Sequence, residues 1–252
     1  MSERFLIEPG IPQSKVKTVF AQCDDKALRF VFDNLSIKVI EPMVNRKLET
    51  PIGLHADVLI NNTSNSEFFI DKNQKVLIDF LYKNGAKVNI IENIKSPYPQ
   101  DCLLNFVNIG DFIICNKKII PDTILEKISN KCIIDVNQGY SKCSVCVVKK
   151  NVIITDDIAI HSKVSKYSEI SSLYVEKGSV NIEKYNYGFI GGCCGLIDKD
   201  LLLFNGDLSL HINHKDILKF LEKNNVKYVD IKGKPLNDIG SIIPITEEDD
   251  AK

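Results

Sequence analysis

Five short stretches of the 252-residue chain concentrate the side chains that can do chemistry. Gly53-Leu54-His55-Ala56-Asp57 carries an imidazole and a carboxylate two positions apart. Tyr98-Pro99-Gln100-Asp101, followed by Asn105, carries a carboxylate and an amide. Gln138-Gly139-Tyr140-Ser141-Lys142-Cys143-Ser144 sets a thiol beside an ammonium group. Gly191-Gly192-Cys193-Cys194-Gly195 puts adjacent thiols in a glycine-rich turn, and Asn237-Asp238-Ile239-Gly240-Ser241 adds another carboxylate. A cation beside a thiol favours its ionised, nucleophilic form, so Lys142 singles out Cys143 among the eight cysteines. On a strand, His55 and Asp57 would point to the same side, because side chains alternate.

Other readings of these residues are weaker. Paired Cys-x-x-Cys knuckles would signal zinc, but Cys143-x-x-Cys146 with an adjacent Cys193-Cys194 pair lacks that spacing, and no metal or other cofactor is expected. On a strand, Cys146 should face away from Cys143. Gly191-Gly192 lacks the Lys and Ser/Thr of a phosphate loop. His211-x-x-His214 precedes a helical pattern and reads as a surface or capping feature.

Composition narrows the class. With 44% apolar and 26% charged residues, the chain can bury a sizeable core. Its 32 basic and 33 acidic residues leave a net charge of -1, so neither nucleic acid nor an anionic membrane is the expected partner. Charges interrupt the first residues where a signal peptide needs an apolar core, and no apolar run has the length of a membrane span. Reduced cysteines and a cytoplasmic location follow as expectations. The acidic residues Glu247, Glu248, Asp249 and Asp250 read as a solvated tail.

These stretches need a scaffold, and one supersecondary unit recurs along the chain at intervals of roughly 42 to 50 residues. The clearest copy has strands at 102–107 and 112–115, a helix opening at Pro121-Asp122-Thr123, and a buried strand at 131–136. The same order is expected from hairpin 55–61 and 68–70, helix 74–83 and strand 87–91. It is expected again from hairpin 144–148 and 152–155 with a less regular helical stretch. A further copy has hairpin 193–197 and 201–204, helix 214–223 and strand 226–231. A strand at 239–245 has no helix after it, and strand 5–7, helix 24–34 and strand 37–40 would complete its unit.

The expected fold class is therefore α/β, a five-bladed propeller of ββαβ repeats forming a single domain over 1–252. Its units are 53–97, 98–140, 141–188, 189–235, and a split unit of 236–246 with 4–42. Pairing both chain ends in one blade closes the ring and removes open edges. The alternative is a two-domain α/β protein, but hairpins joined by short turns are foreign to a Rossmann-type sheet. In the ring, the head of each unit's first strand lies near the axis, so the five polar stretches converge on one pocket.

The strings Leu54-His55-Ala56-Asp57, Pro97-Tyr98-Pro99-Gln100-Asp101, the run from Gln138 to Cys146, Tyr187-Gly188-Phe189-Ile190-Gly191-Gly192 and Asp238-Ile239-Gly240-Ser241 together carry a resemblance. The chain resembles an uncharacterised bacterial family with the pentein fold. Its relatives are arginine and agmatine deiminases, dimethylarginine hydrolases, amidinotransferases and non-catalytic members such as a ribosome anti-association factor. The resemblance implies that His55 and Asp57 match the family's His-x-Asp/Glu motif. The enzymes carry their nucleophilic cysteine in the last repeat, where this chain has Ser241-Ile242-Ile243. Two repeats after His55, however, stands Cys143, an equivalent place on a closed ring, and Asp238 then stands one repeat before His55.

The implied activity is a cysteine-dependent hydrolysis or transfer at a guanidino or amidino carbon of a small molecule. Cys143, His55 and Asp57 would be catalytic; Asp101, Asn105, Gln138, Lys142 and Asp238 would bind substrate, the carboxylates by paired hydrogen bonds to a planar cation. The alternative is a non-catalytic pentein that binds a small molecule or a macromolecular partner.

Overall fold

The computed structural model describes residues 2–249. Four times the chain makes an antiparallel hairpin, crosses over through a helix, and returns as a strand parallel to the hairpin's second strand. The first sheet pairs Ile60–Asn62 with Glu67–Asp71, then Glu67–Asp71 with Lys87–Ile91 beyond helix Lys75–Lys83. The second joins Val107–Asn108, Phe112–Cys115 and Cys132–Asp135 around helix Asp122–Lys127. The third joins Val145–Lys149, Val152–Thr155 and Ser171–Tyr174 around helix Ile158–Val164. The fourth joins Cys194–Asp198, Leu201–Phe204 and Lys227–Asp230 around helix His214–Lys223.

The second strand of each hairpin lies between two neighbours, and Phe112–Cys115 and Val152–Thr155 are buried at every residue. Such doubly covered strands read as unbroken apolar runs. The helices bury one stripe at helical spacing, Leu77 with Leu81 and Ile217 with Leu221. Two begin on aspartate caps: Asp25 accepts from the Ala27 N–H, and Asp157 from those of Ala159 and Ile160.

A four-stranded sheet unites the two chain ends. Ile243–Glu248 runs antiparallel to both Glu3–Phe5 and Val16–Phe20, and Val16–Phe20 is parallel to Lys38–Ile40 beyond helix Lys26–Asn34. The expected strand at 5–7 is thus a flanking strand at Glu3–Phe5, and Val16–Phe20 takes the central place. A two-stranded pairing of Val180–Asn181 with Leu236–Asn237 links neighbouring regions. The sheets remain separate, with no closed sheet among the described residues. Their opening strands nevertheless meet around one narrow cavity of about 50 Å³, walled by Asn61, Asn108, Val147, Leu196 and Ile243.

Three local expectations need correction. Residues 55–61 are not one strand: a 3₁₀ turn, Ile52–Leu54, leads through extended His55 into the helical turn Ala56–Leu59. The Asp57 N–H bonds the Gly240 carbonyl, so this backbone answers to a tertiary partner and not to a strand neighbour. Residues 102–107 are likewise mostly turns, with the Asn105 N–H bonding the Cys102 carbonyl. The acidic end is not a solvated tail. Glu247 is fully buried, pairs with Arg4 at 3.2 Å and accepts from the Gln13 N–H at 2.6 Å; Asp250 lies outside the described residues. Among those residues no helix is long and apolar enough to cross a membrane.

Candidate active site

A cavity of about 310 Å³ lies at the heads of several units, and His55, Cys143 and Asp238 all line it. Three different segments deliver them. His55 ends the 3₁₀ turn Ile52–Leu54. Cys143 sits in the turn before Val145–Lys149, held by the Gly192 N–H donating to its carbonyl at 3.0 Å. Asp238 follows Leu236–Asn237 and accepts from the N–H groups of Phe189 and Gly240, each at 2.9 Å.

All three are buried, and their contacts tie them together. The His55 Nδ1 lies 3.8 Å from the Asp238 Oδ1. Asp57 Oδ2 accepts from the Ser241 Oγ at 2.7 Å, while its Oδ1 is buried without a hydrogen-bond partner. Asn105 donates to the Cys143 Sγ at 3.2 Å and to the Asp57 carbonyl at 3.0 Å. Its oxygen accepts from the N–H groups of Lys142 and Cys143. That uses both donors and both acceptor positions of the amide.

Close backbone approach makes this packing possible. Gly240 has φ +74°, and a Cβ there would stand 2.2 Å from the His55 Cβ. A Cβ on Gly192 would stand 2.0 Å from the Asp238 Oδ1. Both positions therefore need glycine.

Charge in the site is set by burial. Desolvation raises the Cys143 thiol well above its ordinary pKa, and the carboxylates of Asp57 and Asp238 raise it further. Asp238 is itself raised, first by burial and then by Asp57, with His55 opposing. The expected activation by Lys142 is absent from this balance. Its ammonium turns away to the Ser241 Oγ at 3.1 Å and lines the narrow 50 Å³ cavity instead. There it acts on Cys146 and Cys194, which share an apolar cluster with Cys193.

The other sequence candidates stand behind the cavity wall. Asp101 accepts from the Tyr140 hydroxyl at 2.7 Å, and Tyr140 lines the cavity. Gln138 donates to Asp157 and accepts from the Tyr140 N–H, so it braces the turn that carries Cys143. Asn105 occupies the same kind of position behind Cys143 and has no bonding capacity left for a ligand. His211 is buried, accepts from the Asn213 N–H at 3.0 Å, and lies at the approach to helix His214–Lys223, far in role from the cavity. Burial, and next the neighbouring His214, depress its pKa to about 4. Among the described residues no group of three or more His, Cys, Asp or Glu is placed to hold a metal ion.

Three features were not read from the sequence. Ser241 links Lys142 and Asp57. Asp156, buried behind the Ile190 N–H, has its carboxyl raised by burial to about 7. The rest of the cavity wall is mainly apolar and aromatic: Tyr140, Tyr185, Tyr187 and Phe189, with Ile52, Ile182 and the amide-bearing Asn186. The alternating aromatics of Tyr185-Asn186-Tyr187-Gly188-Phe189 were the available signal for that wall.

A family model matches residues 22–243, most of the chain. The chain belongs to DUF6873, a family of unknown function. No curated protein sequence matches this DUF6873 chain. Solved structures do, at the level of fold. An amidinotransferase of the saxitoxin biosynthetic pathway from Microseira wollei aligns at TM-score 0.58 and 8% identity, covering 90% of this chain and 91% of that one. Inosamine-phosphate amidinotransferase from Streptomyces griseus aligns at TM-score 0.59 and 9% identity, covering 96% and 97%. Agmatine deiminase from C. jejuni aligns at TM-score 0.52 and 12% identity, covering 94% and 95%. This DUF6873 chain thus has the mixed α/β fold of the penteins.

Proposed function

We propose that this protein is a cysteine-dependent hydrolase or transferase acting on a guanidino or amidino carbon, built on a ring of five blades. The observation that carries the reading is the shared cavity of His55, Cys143 and Asp238, with Asp57 acting on the same thiol. The similarity to amidinotransferases and a deiminase supports it at the level of fold. The ring reading draws support from the opening strands meeting at one narrow cavity and from the sheet shared by both chain ends. In it, 236–246 and 4–42 form the split unit of one domain.

A planar cation suits the two buried carboxylates, which raise the thiol while unneutralised. Entry of the cation offsets their charge, so thiol ionisation follows substrate binding. The Cys143 proton passes to His55 and the sulfur bonds to the central carbon. As the carbon–nitrogen bond breaks, His55 returns that proton to the leaving amine. His55 then takes a proton from water and the resulting hydroxide adds to the thiouronium carbon. The carbon–sulfur bond breaks with its electron pair going to sulfur, His55 returns the proton to that thiolate, and the protonated product loses a proton to solvent. In a transfer, an acceptor amine takes the place of water.

The test is reaction with 2-chloroacetamidine, an amidinium-bearing alkylator, with the labelled residue located by mass spectrometry. Selective labelling of Cys143, suppressed by a guanidine, is the expected result. Labelling no faster than with chloroacetamide, a neutral analogue, would remove the mechanism. A second reading, a non-catalytic binding pentein, is favoured by one observation, the raised pKa of the unliganded thiol. Under it Cys143→Ser leaves ligand affinity intact and there is no turnover to lose.

A further inference from the structure

We infer that the natural ligand carries no carboxylate: it is a guanidine or amidine with an apolar or cationic tail. The inference rests on the proposed guanidino-binding role of the cavity and narrows its substrate class.

Ionisable lining groups include Asp238 and His55, and among the described residues no lysine or arginine lines the cavity. Lys142, the nearest in sequence to Cys143, is committed to Ser241 on the side of the narrow cavity. Of the chain's arginines, Arg4 is paired with Glu247 and Arg29 with Glu41, while Arg46 is exposed and outside the lining. A ligand carboxylate would therefore lose its water beside Asp238 and near Asp57, with no lysine or arginine in the lining to receive it and with His55 already facing Asp238 at 3.8 Å.

The walls favour a different tail. Tyr140 and Phe189 lie with ring centroids 6.2 Å apart, and Tyr187 meets Phe189 edge-on at 6.4 Å. Two tyrosine hydroxyls are engaged by acids, Tyr140 with Asp101 and Tyr185 with the exposed Glu49. Ring faces and a rim carboxylate accept methylene groups or an amine. Among the described residues, the ammonium that stands over these rings is that of Lys177, 5.6 Å from the Tyr187 centroid and 5.9 Å from that of Phe189. It is exposed and does not line the cavity, so a carboxylate reaching it would have to leave the pocket.

Matched ligands test this by calorimetric titration of the full chain and of the full chain carrying Cys143→Ser, which prevents turnover. Agmatine is compared with arginine, which adds only the carboxylate, and propylguanidine with 4-guanidinobutanoate. Argininamide controls for size. Agmatine, propylguanidine and argininamide should bind at least tenfold more tightly than the two carboxylates. Equal or tighter binding of arginine and 4-guanidinobutanoate would overturn the inference while leaving the guanidino reading standing. Loss of that binding in Lys177→Ala would then place the missing counter-charge at the rim. Failure of all five to bind would instead remove the guanidino reading, and the inference with it.

Discussion

The side-chain amide of Asn105 donates to the Cys143 sulfur at 3.2 Å and accepts from the Cys143 N–H at 3.3 Å. One residue thus fixes both the thiol and the backbone that carries it. It also ties that turn to the Asp57 carbonyl, joining two elements of the site.

Replacing Asn105 by Ala should leave the Asp57 carbonyl and two N–H groups unpaired in the interior. Unsatisfied buried groups cost about 1–3 kcal/mol each, partly relieved by water, so a loss of roughly 2–4 kcal/mol is expected. Urea denaturation measures it. A change under 0.5 kcal/mol would show that the latch does not hold the turn.

The thiol should behave as a switch set by ligand charge. Without ligand, alkylation of Cys143 by neutral iodoacetamide should climb with pH beyond the ordinary cysteine range, because burial and the two carboxylates resist the thiolate. Saturation of the Cys143→Ser-validated binding site with a guanidinium ligand should move the profile of the wild-type thiol to lower pH. Mass spectrometry at the Cys143 peptide follows both, and a profile that ignores the ligand argues for a structural cysteine.

Gly240 and Gly85 separate clash from backbone strain. Both have positive φ, but a Cβ at Gly85 meets open space while one at Gly240 collides with His55. Gly85→Ala should cost about 1 kcal/mol. Gly240→Ala should cost several times more, roughly 3 kcal/mol or above, and displace His55. Comparable thermal shifts in the two variants would contradict the contact.

Asp156 gives the stability a pH signature. Its folded pKa, raised by burial to about 7, lies above the ordinary 3.8 of an aspartate, so its contribution is present below the lower figure and lost as pH rises through the higher. Asp156→Asn keeps the acceptor for the Ile190 N–H and removes the charge. Relative to the variant, the wild type should weaken between pH 5 and 8 by roughly 1–4 kcal/mol. Parallel melting curves for the two proteins would rule this out. His211 works the other way: its depressed pKa withdraws stability as pH falls through about 4.

Much of the scaffold was legible because apolar runs are bounded by turn residues. Phe112–Cys115, Val152–Thr155, Leu201–Phe204 and helix His214–Lys223 form where periodicity places them. Val16–Phe20 is hard to see in the sequence because Lys17 and Thr18 break its apolar pattern. Lys17 pairs with Glu248 on the adjoining strand, and Thr18 bonds Glu3. The polar heads were legible as a set, and His55, Cys143 and Asp238 do share a cavity. What they do there was less so. Lys142 follows Ser241, Asn105 is consumed by backbone groups, and residues 55–61 obey Gly240, all decided by partners remote in sequence.

The sheet that binds Glu3–Phe5 and Val16–Phe20 to Ile243–Glu248 has a consequence for the birth of the molecule. Hairpins along the middle of the chain can form as they emerge from the ribosome. This sheet must wait, because strand Glu3–Phe5 has no strand to pair with until Ile243–Glu248 has been synthesised. Loop closure over almost the whole polypeptide raises the contact order and makes this step slow. Until it occurs, Val16–Phe20 offers an open edge to other nascent chains. Emergence of Ile243–Glu248 is therefore also the moment at which that edge is covered.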